Sequence, residues 1–300
     1  MFWVSPRSRS DNRVIIDSVR GQTKRLKTNA TAAEDTDSPA QITFETDGFD
    51  LDTTDANFNG SSETYVAWQW KTQGGAGSSN EDGSINTVST SVNTTAGHSI
   101  IRWTGTAANG TIGHGLGVQP KFWFLKNAAT TNSWLVGTTL IPNTSYLSFN
   151  SDAEATSDAF IWNSTYPTSS VINLGSNVGA NGSSGTGNMI CYAFAEVAGY
   201  SSFGKYVGNG SSTDGPFIYT GFRPAYIATK NITNSGDQWP VADSKRSPFN
   251  VCNATLLFSL AHAETTGYQV DLLSNGFKAR TTDHAVNESG ATYVYWAFAE

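Results

Sequence analysis

The chain contains one β-strand sequence three times, and this repetition limits the folds that it can adopt. The three segments are TYVAWQWKT, which starts at Thr64, NMICYAFAE, which starts at Asn188, and TYVYWAFAE, which starts at Thr292. The residues before the first and third segments also align without a gap, and this alignment pairs Gly48 with Gly276. Self-similarity over such a length indicates repeated structural units. The sequence therefore predicts three copies of one module.

Within each repeated strand, large apolar side chains alternate with small or amphipathic ones. A period of two is typical of a strand that buries one face. The residues on the predicted core face are Val66, Trp68, Trp70, Ile190, Tyr192, Phe194, Val294, Trp296 and Phe298. Short strands of this kind, separated by Gly, Asn, Asp and Ser, favour sandwiches. We predict an all-β fold of three repeated antiparallel β-sandwich modules, jelly-roll or lectin-like.

The repeats divide the chain into four segments. We assign a first β module to 1–72, a Gly/Ser/Thr/Asn-rich linker to 73–96, a second β module to 97–198 and a third β module to 199–300. The linker composition is typical of a flexible segment. The second and third modules each open with a predicted β-hairpin, at 97–120 and 199–224, which the first module lacks. The first module is thus predicted to be incomplete.

The missing hairpin has a consequence for assembly. The modules start their next strand at Phe2, Phe122 and Tyr226. Without a hairpin beside it, the strand from Phe2 to Val4 is expected to have an unpaired edge, and such edges attract strands from other chains. We therefore expect self-association into a homo-oligomer, or strand addition by a partner protein.

Composition excludes several classes of function. The 300 residues carry a formal net charge of -7, which supplies no basic field for nucleic acid or for an anionic membrane surface. We expect no membrane span and no signal peptide, because no apolar run is long enough and no cleavage pattern is present. Cys191 and Cys252 are expected to be small buried side chains, although a bridge between them stays open.

Acidic residues of the first module raise the question of a metal site. Four of them have the alternating spacing of a calcium loop: Asp47, Asp50, Asp52 and Asp55. In the third module the counterparts of two of these are Lys278 and Arg280, which would repel a cation. We expect no metal ion and no cofactor.

Catalysis by paired carboxylates is also disfavoured. Three glutamates follow an alanine in corresponding places, Glu34, Glu154 and Glu264. An active site is needed once, whereas a turn contact is needed in every module, so we interpret these glutamates as acceptors of backbone N–H groups. The four histidines show no zinc-ligand spacing. The sequence predicts a protein that is not an enzyme.

Tryptophans outside the repeated strand are the candidates for a binding site. Trp134, Trp162 and Trp239 lie beside Asn, Ser or Pro, and flat aromatic rings suit the faces of sugars. The alternative is that each of them packs beneath a loop. We keep these three residues as candidate glycan-stacking positions.

Several motifs together resemble a known group of proteins. They are DSVR at Asp17, TIGHGLG at Thr111, GNGSSTDGPFIYTGFRPAYI at Gly208 and the AFAE that closes the third repeat. Over nearly the whole chain, the sequence resembles the repeat-bearing virion appendage proteins of marine tailed bacteriophages, which are often described as tail-fibre-like. The resemblance implies a non-catalytic structural protein on the outer surface of the virion.

That resemblance also implies partners. Such an appendage, on the tail or the head, contacts other virion proteins and host surface glycans, and a fibre would be a trimer. The alternative is a free bacterial carbohydrate-binding module or adhesin, for which the expected lack of a signal peptide is unfavourable.

Overall fold

The computed structural model describes residues 1–183 and 188–299, and these residues form the all-β fold that the sequence predicts. Three five-stranded sheets with antiparallel neighbours dominate the described part of the chain. Each lies mainly within one of the predicted repeats. We call each large sheet, with the shorter strands attached to it, the first, second or third module.

The first module has the strand order β4-β3-β2-β1-β7 in its large sheet, and β5 pairs with β6 in a small second sheet. Its strands are β1 Phe2–Pro6, β2 Val14–Ile16, β3 Lys24–Lys27, β4 Asp35–Thr36, β5 Ile42–Phe44, β6 Phe49–Leu51 and β7 Tyr65–Gln69. The repeated strand, β7, therefore ends the chain of pairings in this module.

The second module has the order β12-β11-β16-β9-β8 in its large sheet, and two small sheets pair β10 with β15 and β13 with β14. Its strands are β8 Ser89–Asn93, β9 His98–Thr104, β10 Gly110–Gly113, β11 Phe122–Asn127, β12 Leu135–Thr138, β13 Ser145–Tyr146, β14 Thr156–Ser157, β15 Val171–Leu174 and β16 Asn188–Phe194. The module also contains two single-turn helices, α1 Ala159–Trp162 and α2 Val178–Asn181.

The third module has the order β17-β24-β19-β20-β21, with a small sheet of order β18-β23-β22. Its elements are β17 Ser201–Val207, β18 Phe217–Tyr219, β19 Pro224–Asn231, β20 Pro240–Asp243, β21 Leu256–Leu257, β22 Val270–Leu273, β23 Gly276–Ala279, α3 His284–Asn287 and β24 Thr292–Ala299. The repeated strand, here β24, lies between two neighbours.

Strand registers show which residues occupy the same position in each module. The repeated strands pair Trp68 with Trp3, Tyr192 with Phe124 and Trp296 with Ala228. On the other side, Trp3, Phe124 and Ala228 pair with Ile15, Val136 and Val241. The start of the first module is thus displaced by one residue from the sequence match, so that Met1 and not Phe2 corresponds to Phe122 and Tyr226.

One core joins the three modules. The predicted core faces of the repeated strands all enter it, and they pack there against side chains of the neighbouring central strands. The ring of Trp3 stacks on Phe258 at 3.8 Å between centroids, and it contacts Phe124 and Trp296 edge-on or tilted. The prediction that these faces are buried is confirmed.

The opposite face of each large sheet packs on its own small sheet and makes a separate outer core. Each module is therefore a two-layer unit of the sandwich kind. The outer core of the first module is small, and five of its apolar residues are only half-buried: Phe44, Phe49, Leu51, Tyr65 and Ala67.

Three expectations from the sequence are wrong. The segments 97–120 and 199–224 are not hairpins, because their two strands join different sheets: β9 and β17 extend the large sheets, whereas β10 and β18 join the small ones. We call each of these segments a leading arch. The linker 73–96 is not free either, since β8 lies within it and residues Ser78 and Ile85 form bridges to Thr90 and Ile112.

The open edge is also in a different place. Strand β1 is paired on both sides, with β2 and β7, so the segment from Phe2 to Val4 has no free edge. In the other modules the leading arch pairs with the repeated strand, and the strand that lacks this neighbour in the first module is β7.

Candidate functional site

The three tryptophans proposed for glycan stacking lie in the interior. Trp134 is 0% exposed, and Trp162 and Trp239 are each 2% exposed. Their indole N–H groups donate to backbone carbonyls of Lys27 (2.8 Å), Ser145 (3.1 Å) and Ser148 (2.9 Å) respectively. A sugar ring cannot reach them. The glycan-stacking assignment of Trp134, Trp162 and Trp239 is therefore wrong.

Two of these indoles belong to a set of bonds that link the modules in a cycle. Trp134 of the second module bonds the first, and Trp239 of the third module bonds the second. Arg13 stands at the same position of the first module, and its Nε donates to the carbonyl of Leu257 in the third, at 3.4 Å. The polar residues that flank these tryptophans in the sequence had suggested a surface position. Trp134 and Trp239 lie instead at junctions between modules.

A buried charge cluster lies at the junction of the first and second modules. Arg20 contacts Asp17 at 2.6 Å and Glu34 at 3.1 Å, and its side chain is 1% exposed. The hydroxyl of Tyr192, from the second module, donates to Asp17 at 2.6 Å. Burial alone would raise the pKa of Asp17, but the charge of Arg20 and the Tyr192 hydroxyl outweigh burial and lower it.

An equivalent cluster lies at the junction of the third and first modules. Arg246 contacts Asp243 at 2.6 Å and Glu264 at 3.0 Å. The indole N–H of Trp68, from the first module, donates to Asp243 at 3.1 Å, and Arg7 of the first module binds Glu264 at 2.8 Å. Hydrogen bonds from Arg7 and Arg246 outweigh the effect of burial and lower the pKa of Glu264.

The second module has no charged residue at these positions. Thr138 and Ile141 occupy the places of the aspartate and the arginine. Val136 is aligned with Ile15, and Thr138 and Ile141 follow Val136 at the same distances along the chain at which Asp17 and Arg20 follow Ile15. Ala155 takes the place of the glutamate. Its N–H donates to the carbonyl of Ile232 in the next module, just as the N–H of Glu34 donates to the carbonyl of Ala128. Glu154, which the sequence had aligned with Glu34 and Glu264, is exposed, so that alignment is wrong by one residue.

The clusters favour a structural role for these carboxylates. Each buried aspartate accepts from an arginine and from an aromatic side chain of the next module, and each glutamate bonds the same arginine. The bonds of Tyr192 to Asp17 and of Trp68 to Asp243 therefore join each cluster to the neighbouring module. In the sequence, the only sign of this arrangement of charges is the similarity between DSVR, which starts at Asp17, and DSKR, which starts at Asp243.

Of the four aspartates that have the spacing of a calcium loop, Asp55 forms an ion pair with Arg25. Arg25 contacts Asp55 at 2.9 Å, Asp37 at 3.3 Å and Asp35 at 3.6 Å. Within residues 1–183 and 188–299, no group of three His, Cys, Asp or Glu side chains has a geometry that could hold a metal ion. Cys191 and Cys252 are free buried thiols, which settles the question left open by the sequence.

An open cleft lies at the edge of the first module. Its volume is about 650 Å³, and it separates the end of β7 from the turn between β5 and β6. Its lining residues include Gln69 and Lys71 at the end of β7, Asp47 and Gly48 in the turn, and Met1. The sequence predicted a missing neighbour in this module but placed the gap at the wrong strand.

A second exposed feature is an aromatic face on the third module. Tyr219 is 66% exposed and Phe217 is 46% exposed, on the same side of β18. Their strand neighbours on β23 are Gly276 and Lys278. This face can present two rings to a ligand, which Trp134, Trp162 and Trp239 cannot. The alternation of exposed rings around buried Ile218 was a period-two signal that sequence reasoning missed.

The fold and these sites define an all-β protein whose three large sheets share a single core, with the repeated strand β7 at the edge of its sheet in the first module. The chain belongs to the family described as a domain of unknown function, DUF7483, whose profile matches residues 1–300. No curated protein and no solved structure matches the chain. Among the described helices, none has the length and apolar character needed to cross a membrane.

Proposed function

We propose that this chain is a bacteriophage virion structural protein, an appendage on the tail or head surface that contacts the host surface without catalysis. The observation that carries the proposal is that buried charged and aromatic side chains of this chain make contacts between its modules. The charge clusters around Arg20 and Arg246, and the indoles of Trp134 and Trp239, all join modules to one another. Such an allocation suits a rigid assembly part. The resemblance to phage appendage proteins supports the same assignment.

In this proposal the protein is located on the outer surface of the particle and binds other virion proteins. The direct test is mass spectrometry of purified particles. We expect the protein to be present at a fixed ratio to the major capsid protein, in hundreds of copies for a head protein or in a handful for a fibre. Its presence in the lysate together with its absence from particles would contradict the proposal.

Catalysis can be tested separately. Incubation of the full chain with bacterial surface polysaccharide should release no reducing ends. Release that disappears in a Glu34→Gln or Glu264→Gln variant, with an unchanged fold, would move the protein into the class of glycan-degrading enzymes.

A free carbohydrate-binding module or adhesin remains the second candidate, and the exposed rings of Phe217 and Tyr219 favour it. Stacking on an exposed aromatic contributes weak affinity that becomes useful when many copies act together. We expect a Tyr219→Ala variant to lose binding to host polysaccharide. Phe160→Ala is the matched control, because Phe160 is similarly exposed, at 65%, on the second module. Equal binding by both variants would remove the aromatic face from consideration.

A further inference from the structure

Strand β7 carries an unused set of backbone hydrogen-bonding groups. The N–H of Trp70 donates to Met1 and the N–H of Arg7 donates to Thr64, so even-numbered residues of this strand bond to β1. Odd-numbered residues direct their N–H and C=O groups away from the sheet. Within the part of the chain that the structure describes, these residues have no backbone partner: Tyr65, Ala67 and Gln69.

In the other two modules this same edge is occupied by the leading arch. Cys191 and Tyr295 stand at the position of Ala67, and they pair with Ile101 of β9 and Gly204 of β17. The arch continues into the small sheet, where β10 pairs with β15 and β18 pairs with β23. The corresponding strand of the first module, β6, pairs with β5 alone among the described strands. Two edges, one in each layer, are therefore open on the same side.

Two corresponding glycines show that the first module has free space at the position of the arch. Gly276 precedes Phe277 in β23, and a Cβ atom on it would lie 2.1 Å from the carbonyl oxygen of Ile218 in the arch. Gly48 holds the same position in the first module, and a Cβ atom there would meet nothing within 4 Å. Gly48 is also one of the residues that line the cleft of about 650 Å³. The first module has space where an arch strand lies in the third.

Side chains that the arch covers in the third module are only half-covered in the first. Tyr293 is fully buried and its ring stacks on Tyr206 of β17, at 4.8 Å between centroids and 11° between planes. Tyr65 is the counterpart of Tyr293 and makes the same local bond through its hydroxyl, to Ala56, but it is half-buried. Burial of apolar surface here would be favourable by about 25 cal/mol per Å².

An asparagine that receives the tip of the arch is also exposed in the first module. Asn287 accepts the N–H of Asn209 and donates to the carbonyl of Ser211, both in the arch, and it donates to Thr281 in its own module. Asn59 makes only the local bond among these, to the carbonyl of Thr53, and its side chain is exposed. The first module therefore has the asparagine that would bind the tip of an arch, but not the tip itself.

The charged residues beside the cleft of the first module indicate what kind of arch would fit there. In the third module Lys278 contacts Asp214 of its own arch at 3.0 Å. The counterpart of Lys278 in the first module is Asp50, which has the opposite charge. The cleft also carries Glu45 and Asp47. An arch with a basic residue at the position of Asp214 is thus complementary to the first module, and the acidic arch of the third module is not.

We propose that the first module binds a β-arch of a partner polypeptide, which adds one strand to β7 and one strand to β6. The two arches that the structure describes already pair with the repeated strands of their own modules, so neither of them is the occupant of this site. The first strand of the added arch carries an aromatic residue that stacks on Tyr65, the tip of this arch bonds Asn59, and a lysine or arginine precedes its second strand. Strand addition of this kind derives affinity from backbone bonds and specificity from side-chain positions. The inference rests on the comparison of modules and is independent of the proposed function.

The probe is a synthetic peptide with the sequence of residues 199–224, used with and without Asp214→Lys, added to the full chain. We expect both peptides to slow hydrogen exchange at the amides of Tyr65, Ala67 and Gln69, while the amides of Val66 and Trp68 are already protected. The Asp214→Lys peptide should bind about fivefold more tightly at low salt, and added salt should remove this difference. Equal affinity of the two peptides would contradict the charge argument.

A tethered version removes the dependence on peptide affinity. Residues 199–225 with Asp214→Lys are fused directly before Met1, which is the connection that joins the arch to Tyr226 in the third module. We expect the melting temperature to rise by roughly 5–10 °C. Gly48→Ala should abolish this rise and leave the melting temperature of the unfused chain unchanged. Gly276→Ala, the matched variant, should lower the melting temperature of the unfused chain because its arch is already in place.

Two results would overturn the proposal. One is a fused chain with no rise in melting temperature and no added protection at Tyr65, Ala67 and Gln69. The other is protection of these amides in the chain alone, together with a dimer in light scattering that dissociates on dilution, which would assign the edge of β7 to a second copy of the chain.

Discussion

The first and second modules place opposite chemistry at the same position of the same fold. In the first, Arg20 is buried between Asp17 and Glu34. In the second, Ile141 stands where Arg20 does, with Thr138 and Ala155 in place of the carboxylates. Both arrangements are self-consistent, because either all three charges are present or none is. The comparison shows that a junction between modules can be built with a complete cluster of buried ions or with none.

The largest effect should come from breaking one cluster. An Arg20→Ala variant leaves Asp17 buried without its cation and leaves Glu34 with only Lys24, at 3.8 Å, which should lower the free energy of unfolding by about 3–5 kcal/mol. Urea denaturation measures the change. Arg9→Ala is the control, because the Arg9 side chain is 40% exposed and its ion pair with Asp11 should contribute at most about 1 kcal/mol. A loss below that of the control would contradict the structural role assigned to the cluster.

A smaller effect should separate two tryptophans at the same position. Trp68 donates to Asp243, whereas Trp296 has no carboxylate acceptor among the described residues, since the corresponding position of the second module is Thr138. Both Trp→Phe substitutions remove the same volume. We expect Trp68→Phe to cost about 1.5–3 kcal/mol more than Trp296→Phe, the range for a hydrogen bond to a charged group. Equal losses in denaturant titrations would show that this bond contributes nothing.

Acid should affect the ionic junction through Asp17. Its pKa in the folded protein is below the unfolded value of about 3.9, so its stabilising contribution is complete above that pH and is lost as the pH falls through the folded pKa. Tyr192→Phe removes one cause of the lowered pKa. We expect the variant to begin losing stability at a higher pH than the unaltered chain when unfolding is followed between pH 5 and pH 2. Parallel acid transitions would contradict the assignment.

The smallest effect should follow from copying the second module into the first. The combined variant Asp17→Thr, Arg20→Ile, Glu34→Ala and Tyr192→Phe replaces the whole cluster and its hydroxyl donor. Because removal of a complete buried ion network is often neutral, we expect a stability within about 1–2 kcal/mol of the original. Circular dichroism and urea titration would measure it. A loss as large as that of Arg20→Ala alone would show that the ions themselves are required.

The sequence was sufficient for whatever depends on periodicity along one strand. The alternation of Val294, Trp296 and Phe298 identified a face that enters the shared core, as the structure confirms. Pairing between distant strands could not be predicted from this alternation. The segments 97–120 and 199–224 contain two strands and a turn, and nothing in them tells whether the strands bond to each other or to two different sheets.

Contacts between modules were the other limit. Trp134 and Trp239 are flanked by polar residues in the sequence, but they are buried where one module meets another, and their acceptors, Lys27 and Ser148, belong to the neighbouring module. The same limit explains the one-residue error at Glu154. A local match of AE-x-T could not show that the bond to the next module is made by Ala155 instead.

The position of Trp296 in the shared core has a consequence for the order of folding. Its ring contacts Trp3, Phe122, Phe149 and Trp239, which span most of the chain. The core that joins the modules therefore cannot close until residues 292–299 have been synthesised, and contacts of such long sequence separation form slowly. Until then the apolar faces of the earlier modules stay exposed and prone to aggregation. The shared core can therefore become native only after β24 has been translated.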